Sequence, residues 1–197
     1  QQAAAFDTLC RELHLSGIDI PVCHASNSGA ILQHSSTYLN CVRPGIILYG
    51  LYPSGETRRS VELRPVMRWV THVSQIKTIP PGSTVGYGRK FLASGPTAVA
   101  TLPVGYADGY RRGFCEKGRV LLKGRRCPVI GKVCMDMIMV DVTEVPGVAL
   151  GEEAVLLGQQ GDERISAEEM ADWIGTINYD VVTCVSTRVP RVYTGEP

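Results

Sequence analysis

Apolar residues recur at helical spacing through AAAFDTLCRELHL (3–15), and the pattern stops at Ser16-Gly17. This predicts a helix ended by a glycine. IDIPVCHA (18–25) is a short apolar run and predicts a strand. SNSGAILQHS (26–35) returns to helical spacing, with Asn27 or Ser28 placed to cap it. NCVRPGIILYG (40–50) predicts a second apolar strand. Helix, strand, short helix, strand is the rhythm of a parallel α/β fold.

The rhythm changes after about residue 62. VMRWVTHVSQIKTI, TAVATLPV, RVLLKG, RCPVIGKV, MIMVDVT and EEAVLLGQ predict strands separated by Gly/Pro turns. RISAEEMADWIG is the one strong helix of this half: Ser166 caps it, Glu168 and Glu169 follow in its first turn, and Gly175 ends it. The closing stretch DVVTCVSTRVPRVY, and Tyr179 just ahead of it, are expected at a strand. The pattern is that of a small, mainly antiparallel, barrel-like β domain over 63–197. The polar, turn-rich SGETRRSVEL (54–63) marks the junction with an α/β part over 1–62.

Composition adds limits. The chain has 197 residues, 44% hydrophobic and 20% charged, and a formal net charge of +1. That is ordinary for a globular protein and favours neither nucleic acid nor an anionic membrane as a partner. No apolar run approaches the roughly 18 to 20 residues of a membrane span. The seven cysteines are scattered without a CxxC pair, which argues against a zinc site and against a secreted disulfide framework. Buried free thiols in a reducing cytoplasm are the expectation. The first residues, QQAAAFDTLC, read as the middle of a helix with no signal peptide, as in a piece of a longer chain.

Several stretches carry candidate chemistry. In VGYG, Tyr87 stands between two glycines at the end of a strand-like run, either as a surface residue of a hairpin or as a phenol held out to a partner molecule. In SNSGA a strand end, a polar loop and a helix start come together, and RPGII repeats a strand end with Gly45. Two such consecutive loops suit a phosphate, as after the last strands of a (β/α)₈ barrel, although on spacing alone ordinary helix capping and a turn glycine explain them better. Arg43 lies in an apolar run, where an unpaired charge is costly. It therefore calls for a carboxylate, a backbone carbonyl or a ligand atom, a buried ion pair being the competing reading. In GYADGYRRG, Asp108 is expected to hold the turn by an Asx-type bond.

HASNSGA, VRPGIILYGLYP, VGYGRKF, LPVGYADGYRR, GKVCMDMIMVDV and INYDVVTCVSTRVPR come in this order along the chain. Together they resemble the C-terminal half of the alanine racemases, pyridoxal-phosphate enzymes built of a (β/α)₈ barrel followed by a β domain. The resemblance covers essentially the whole chain. It implies that residues 1–62 are the last strands and helices of the barrel. It implies that Tyr87 is one of two catalytic bases, reaching into the active site of the other subunit of a homodimer. By the same resemblance Arg43 bonds the pyridine nitrogen of the cofactor. Ser28, the backbone of Gly45 and Ile46, and Tyr179 form the phosphate cradle. Met135 makes a substrate-side backbone contact, and Tyr106, Arg112 and Ile177 line the entrance channel. Lys132 stands where the family pattern leads us to expect an arginine.

The resemblance also implies the chemistry. Moving a proton from one face of Cα to the other calls for two bases, and the cofactor ring acidifies that proton. A phenol with a free pKa near 10 must be tuned for this, and a nearby cation such as Arg43 favours its charged form. A guanidinium does not release its proton to the ring nitrogen, so the ring stays neutral, which suppresses side reactions. The cofactor-bearing lysine, the second base, belongs to an N-terminal barrel strand; Lys77, Lys90, Lys117, Lys123 and Lys132 lie in the β half and outside its motif. The chain alone is expected to be inactive. Implied too are an amino-acid substrate, a cytoplasmic setting and a role in D-alanine supply for cell-wall precursors. A serine or broad-specificity racemase, or a non-catalytic dimerising or binding fragment, remains the alternative.

Overall fold

A computed structural model of the chain describes residues 1–195 and divides it into two compact units, which meet in sequence between Val66 and Met67. The first unit opens with α1 (Gln2–Leu15), closed by Ser16, whose N–H bonds the Glu12 carbonyl at 3.0 Å, and by Gly17 at φ 77°. The helix α2 (Ser28–Gln33) begins at Asn27, whose side-chain oxygen accepts the Ala30 N–H at 3.0 Å. This satisfies one of the donors that a helix start leaves without a partner.

The two expected strands of this unit are shorter than the apolar runs suggest. A single parallel bridge, His24 to Cys41, joins 18–25 to 40–50, and Ile46–Tyr49 winds into a 3-10 helix ended by Gly50 at φ 72°. Parallel strands gain regular pairing from neighbours on both sides. Among the described residues these two segments have only each other.

The second unit is antiparallel. Its strands are β1 (Trp69–His72), β2 (Gln75–Ile79), β3 (Thr84–Val85), β4 (Phe91–Leu92), β5 (Thr97–Leu102), β6 (Arg119–Leu122), β7 (Arg125–Ile130), β8 (Ile138–Asp141), β9 (Glu153–Gln160) and β10 (Glu163–Ile165). The main sheet runs β1-β9-β6-β7-β8-β5-β2, with β10 on β9, while β3 and β4 form a separate hairpin. The single run 66–79 is thus two strands, one at each end of that path, and no β1–β2 pairing closes it into a barrel. Val120, Leu121 and Leu122 of β6 and the inner positions of β5, β8 and β9 are buried, with Val120, Leu121, Leu122, Leu102, Ile138 and Leu156 at 0% exposure. An aromatic column (Trp69, Tyr110, Phe114, Trp173), with ring centroids 4.6–6.2 Å apart, packs beside them.

Two helices follow the sheet. α3 (Ala167–Ile174) is capped by Ser166, which accepts the Glu169 N–H at 3.1 Å, and ends at Gly175 with φ 70°. The stretch after it corrects the expectation of a strand. Residues Asn178–Thr183 form α4, and Tyr179 sits in its first turn. The β-branched Val-Val-Thr favours a strand in isolation, but Val181 and Val182 are buried on a helical face, and burial decides.

Candidate functional site

Tyr87 lies at the tip of the β3–β4 hairpin, in a 3-10 turn Tyr87–Arg89, and is 74% exposed. Both flanking glycines have positive φ, 73° at Gly86 and 71° at Gly88. Gly86 pairs that φ with ψ −176°, a region that only glycine occupies without strain. The backbone therefore turns sharply on either side of the phenol and leaves it uncovered.

Two other loops complete a cavity of about 800 Å³ lined by Tyr87, Tyr106, Arg112, Lys132, Met135 and Asp136, among others. The loop 105–109 and the loop 134–137 are joined by backbone bonds: Tyr106 N–H to the Cys134 carbonyl and Ala107 N–H to the Met135 carbonyl, both 3.0 Å. Gly105 allows this, because a Cβ there would stand 2.4 Å from the oxygens of Cys134 and Met135. Asp108 holds the first loop, but by a different bond from the Asx turn expected of it. Its carboxylate accepts the N–H of Gly105, three residues back, at 2.8 Å.

Arg188 ties the two loops together. Its Nε donates to Asp108 and its Nη2 to Asp136, each at 2.6 Å. Burial alone would raise the Asp108 carboxyl, but the Arg188 guanidinium and the Gly105 N–H outweigh it and hold the group below its ordinary range. Arg112 and Lys132 form no ion pair among the described residues and share the cavity with one carboxylate, Asp136, which Arg188 holds. Ile177, 60% exposed ahead of α4, does not line this cavity. Next to Tyr179 in α4, Asp180 is held by Arg111 and by Thr176 Oγ1 at 2.8 Å. Partial burial raises the Tyr179 phenol above its ordinary value.

In the first unit, Ser28 is buried and its Oγ accepts the Gly45 N–H at 2.9 Å. The hydroxyl proton remains available to donate. Gly45 thus gives its N–H to Ser28, while Ile46, buried, starts a 3-10 helix whose first N–H groups have no acceptor within it. A hydroxyl and a backbone N–H in one place are a donor set that suits a phosphate oxyanion. Arg43 is exposed, contrary to the buried ion pair considered for it. Its Nη1 lies 2.6 Å from His24 Nδ1 and 3.4 Å from the His24 carbonyl, leaving further donors of the guanidinium for a ligand.

His24 and Arg188 are the partners that sequence reasoning did not assign. His24 stood within a quoted stretch, HASNSGA, and the parallel bridge that brings it to Arg43 is its only signal. Arg188 is 80 positions from Asp108, and no local pattern marks it.

A family profile described as alanine racemase, C-terminal domain, matches residues 66–193, and one described as alanine racemase, N-terminal domain, matches residues 1–53. The chain is 49% identical to the alanine racemase of Halothermothrix orenii over 176 residues, which is 89% of this chain and 46% of that protein. It is 46% identical to alanine racemase 1 of Clostridium acetobutylicum over 193 residues, 98% of this chain and 50% of that one. Among solved structures, alanine racemase of Bacillus anthracis with bound L-Ala-P superposes with a TM-score of 0.92 at 38% identity, covering 98% of this chain and 50% of that one. The chain therefore spans about half the length of the curated relatives it matches.

Proposed function

The chain belongs to the alanine racemase family, and from that premise we propose that it is the C-terminal part of an enzyme interconverting L- and D-alanine with pyridoxal phosphate, Tyr87 serving as one of two bases. The observation that carries this reading is the placement of Tyr87, on glycine-flanked backbone, over the same cavity as Met135, Tyr106 and Arg112. When bound, pyridoxal phosphate makes the Cα–H of an amino acid acidic enough for a side chain to remove. Tyr87 takes that proton from, or returns it to, one face of Cα, and a lysine outside this chain serves the other.

The remaining residues bind and orient. The Ser28 hydroxyl and the Ile46 N–H would hold the phosphate, and the Arg43 guanidinium would donate to the pyridine nitrogen. Arg112 and Lys132 give the approach to Tyr87 a positive potential that suits a substrate carboxylate. Tyr87, Tyr106, Met135 and Met137 are between 45% and 74% exposed, an apolar group of the kind that a partner covers. We assign that partner to a second copy, so that Tyr87 works in its neighbour's active site. Among the described residues no helix is long and apolar enough to cross a membrane. The cytoplasm, where D-alanine for wall precursors is made, is the proposed setting.

The test joins this chain to the N-terminal half of a relative, which supplies the lysine, and measures D/L interconversion of alanine with the chain alone as the blank. Tyr87→Phe in the joined enzyme is expected to lower the rate by about 10²–10⁴-fold. An unchanged rate in both directions would remove Tyr87 from the mechanism. Exchange of the Cα hydrogen for deuterium across a panel of amino acids separates alanine from serine or broad specificity.

A further inference from the structure

Away from the cavity, two of the cysteines meet. Cys10 Sγ, on α1, lies 3.8 Å from Cys23 Sγ, 13 positions along the chain, and both residues are half-buried. Cys23 Sγ also lies 3.8 Å from the Ile20 carbonyl; the other sulfurs face backbone, Cys41 the Val42 carbonyl, Cys115 the Val133 N–H, Cys127 the Arg125 carbonyl, Cys134 the Lys132 carbonyl and Cys184 the Gly109 carbonyl.

Backbone bonds hold the Cys10–Cys23 pair in register. Ile18 N–H donates to the Leu13 carbonyl at 2.9 Å and folds 18–25 back from the end of α1. Asn40 then grips the backbone leading into Cys23, accepting the Cys23 N–H at 2.8 Å and donating to the Pro21 carbonyl at 2.9 Å. These bonds set the two thiols side by side. A disulfide needs the sulfurs to close from 3.8 Å to about 2.05 Å.

We propose that Cys10 and Cys23 are a reversible redox pair, oxidised to a disulfide by hydrogen peroxide. One thiolate attacks a peroxide oxygen: an S–O bond forms, the O–O bond breaks, and the departing hydroxide takes a proton to become water. The second thiolate attacks that sulfur: the S–S bond forms, the S–O bond breaks, and the departing hydroxide takes up the proton that thiol released, leaving as a second water. The two sulfurs lose two electrons and the peroxide gains two. The link ties α1 to the residue next to His24, the partner of Arg43, so oxidation bears on the position of that arginine. This proposal does not depend on the assigned activity.

The test treats the whole chain with hydrogen peroxide, alkylates the remaining thiols and maps disulfides by mass spectrometry. Digestion uses trypsin with chymotrypsin, because Cys23 and Cys41 share one tryptic peptide. The expected result is a Cys10–Cys23 link exceeding every other cysteine pair by about tenfold or more, reversed by dithiothreitol, retained in Cys41→Ser and lost when oxidation is done in urea. The proposal is overturned if the native chain yields Cys10 and Cys23 as separate alkylated or sulfinic residues, or if the same link forms equally well in urea.

Discussion

Gly105 shows how a single residue fixes the geometry of the cavity. Its φ of −152° is extended backbone that any residue adopts, so the constraint is space and not conformation. An added methyl group would meet two backbone carbonyls at 2.4 Å, and backbone cannot swing aside as a long side chain does. Gly105→Ala is expected to cost about 3 kcal/mol and to part Tyr106 from the Met135 loop. Both tryptophans, Trp69 and Trp173, belong to the second unit, so their fluorescence in a urea titration reads this unit alone. A midpoint equal to that of the unchanged chain would mean that the two loops separate without cost. The same scale separates what the sequence discloses about the site from what it hides. Tyr87 is legible because its glycines are its neighbours in the chain. Arg188 is not, because its worth comes from Asp108 and Asp136, which only the fold brings to it.

At the scale of elements, local devices are legible and pairing is not. The caps of α2 and α3 lie where Asn27 and Ser166 suggest, because a capping bond spans only three residues. Ser166→Ala is expected to destabilise the second unit by about 1 kcal/mol, whereas Ser166→Gly costs only a few tenths. That order, read from urea midpoints, distinguishes a lost cap from a lost helix propensity, since glycine is the poorer helix former. Strands β5 to β9 follow the apolar runs because both their neighbours in the sheet are present. The break between β1 and β2 has no glycine or proline to announce it. It is set by the partners, β9 for one and β5 for the other. Helix α4 reads as a strand for the same reason in reverse: its valines fit either geometry, and only the surface they bury selects the helix.

For the molecule as a whole, ionisable groups in the second unit set opposite limits on the pH range of stability. On the acid side stand three carboxyls. Glu153 is held below its ordinary range first by its bidentate bond to Arg68, and Asp180 by Thr176 and then Arg111. Asp108, despite burial that would raise it, is held low by Arg188 and Gly105. In the unfolded chain such groups take up protons near pH 3.9–4.3. Below about pH 5 the unfolded state therefore binds more protons than the folded one, and the stability these bonds supply at neutral pH is lost as pH falls. On the alkaline side, burial pushes the Cys127 thiol up to about 11. An unfolded thiol ionises near 8.5. Between these values the folded state holds the proton that the unfolded state has released, so stability falls as pH rises. Urea midpoints followed by tryptophan fluorescence are expected to be level from about pH 5 to 8 and to drop on both sides. Cys127→Ala lowers the whole curve, since it leaves space in a filled core. It also flattens the part of the alkaline limb that begins near pH 8.5, while leaving the acid limb as it was. If the alkaline slope survives that substitution unchanged, a different buried group controls it. Cys184, whose thiol is also pushed up by burial and which belongs to the same unit, is the group then to replace with alanine.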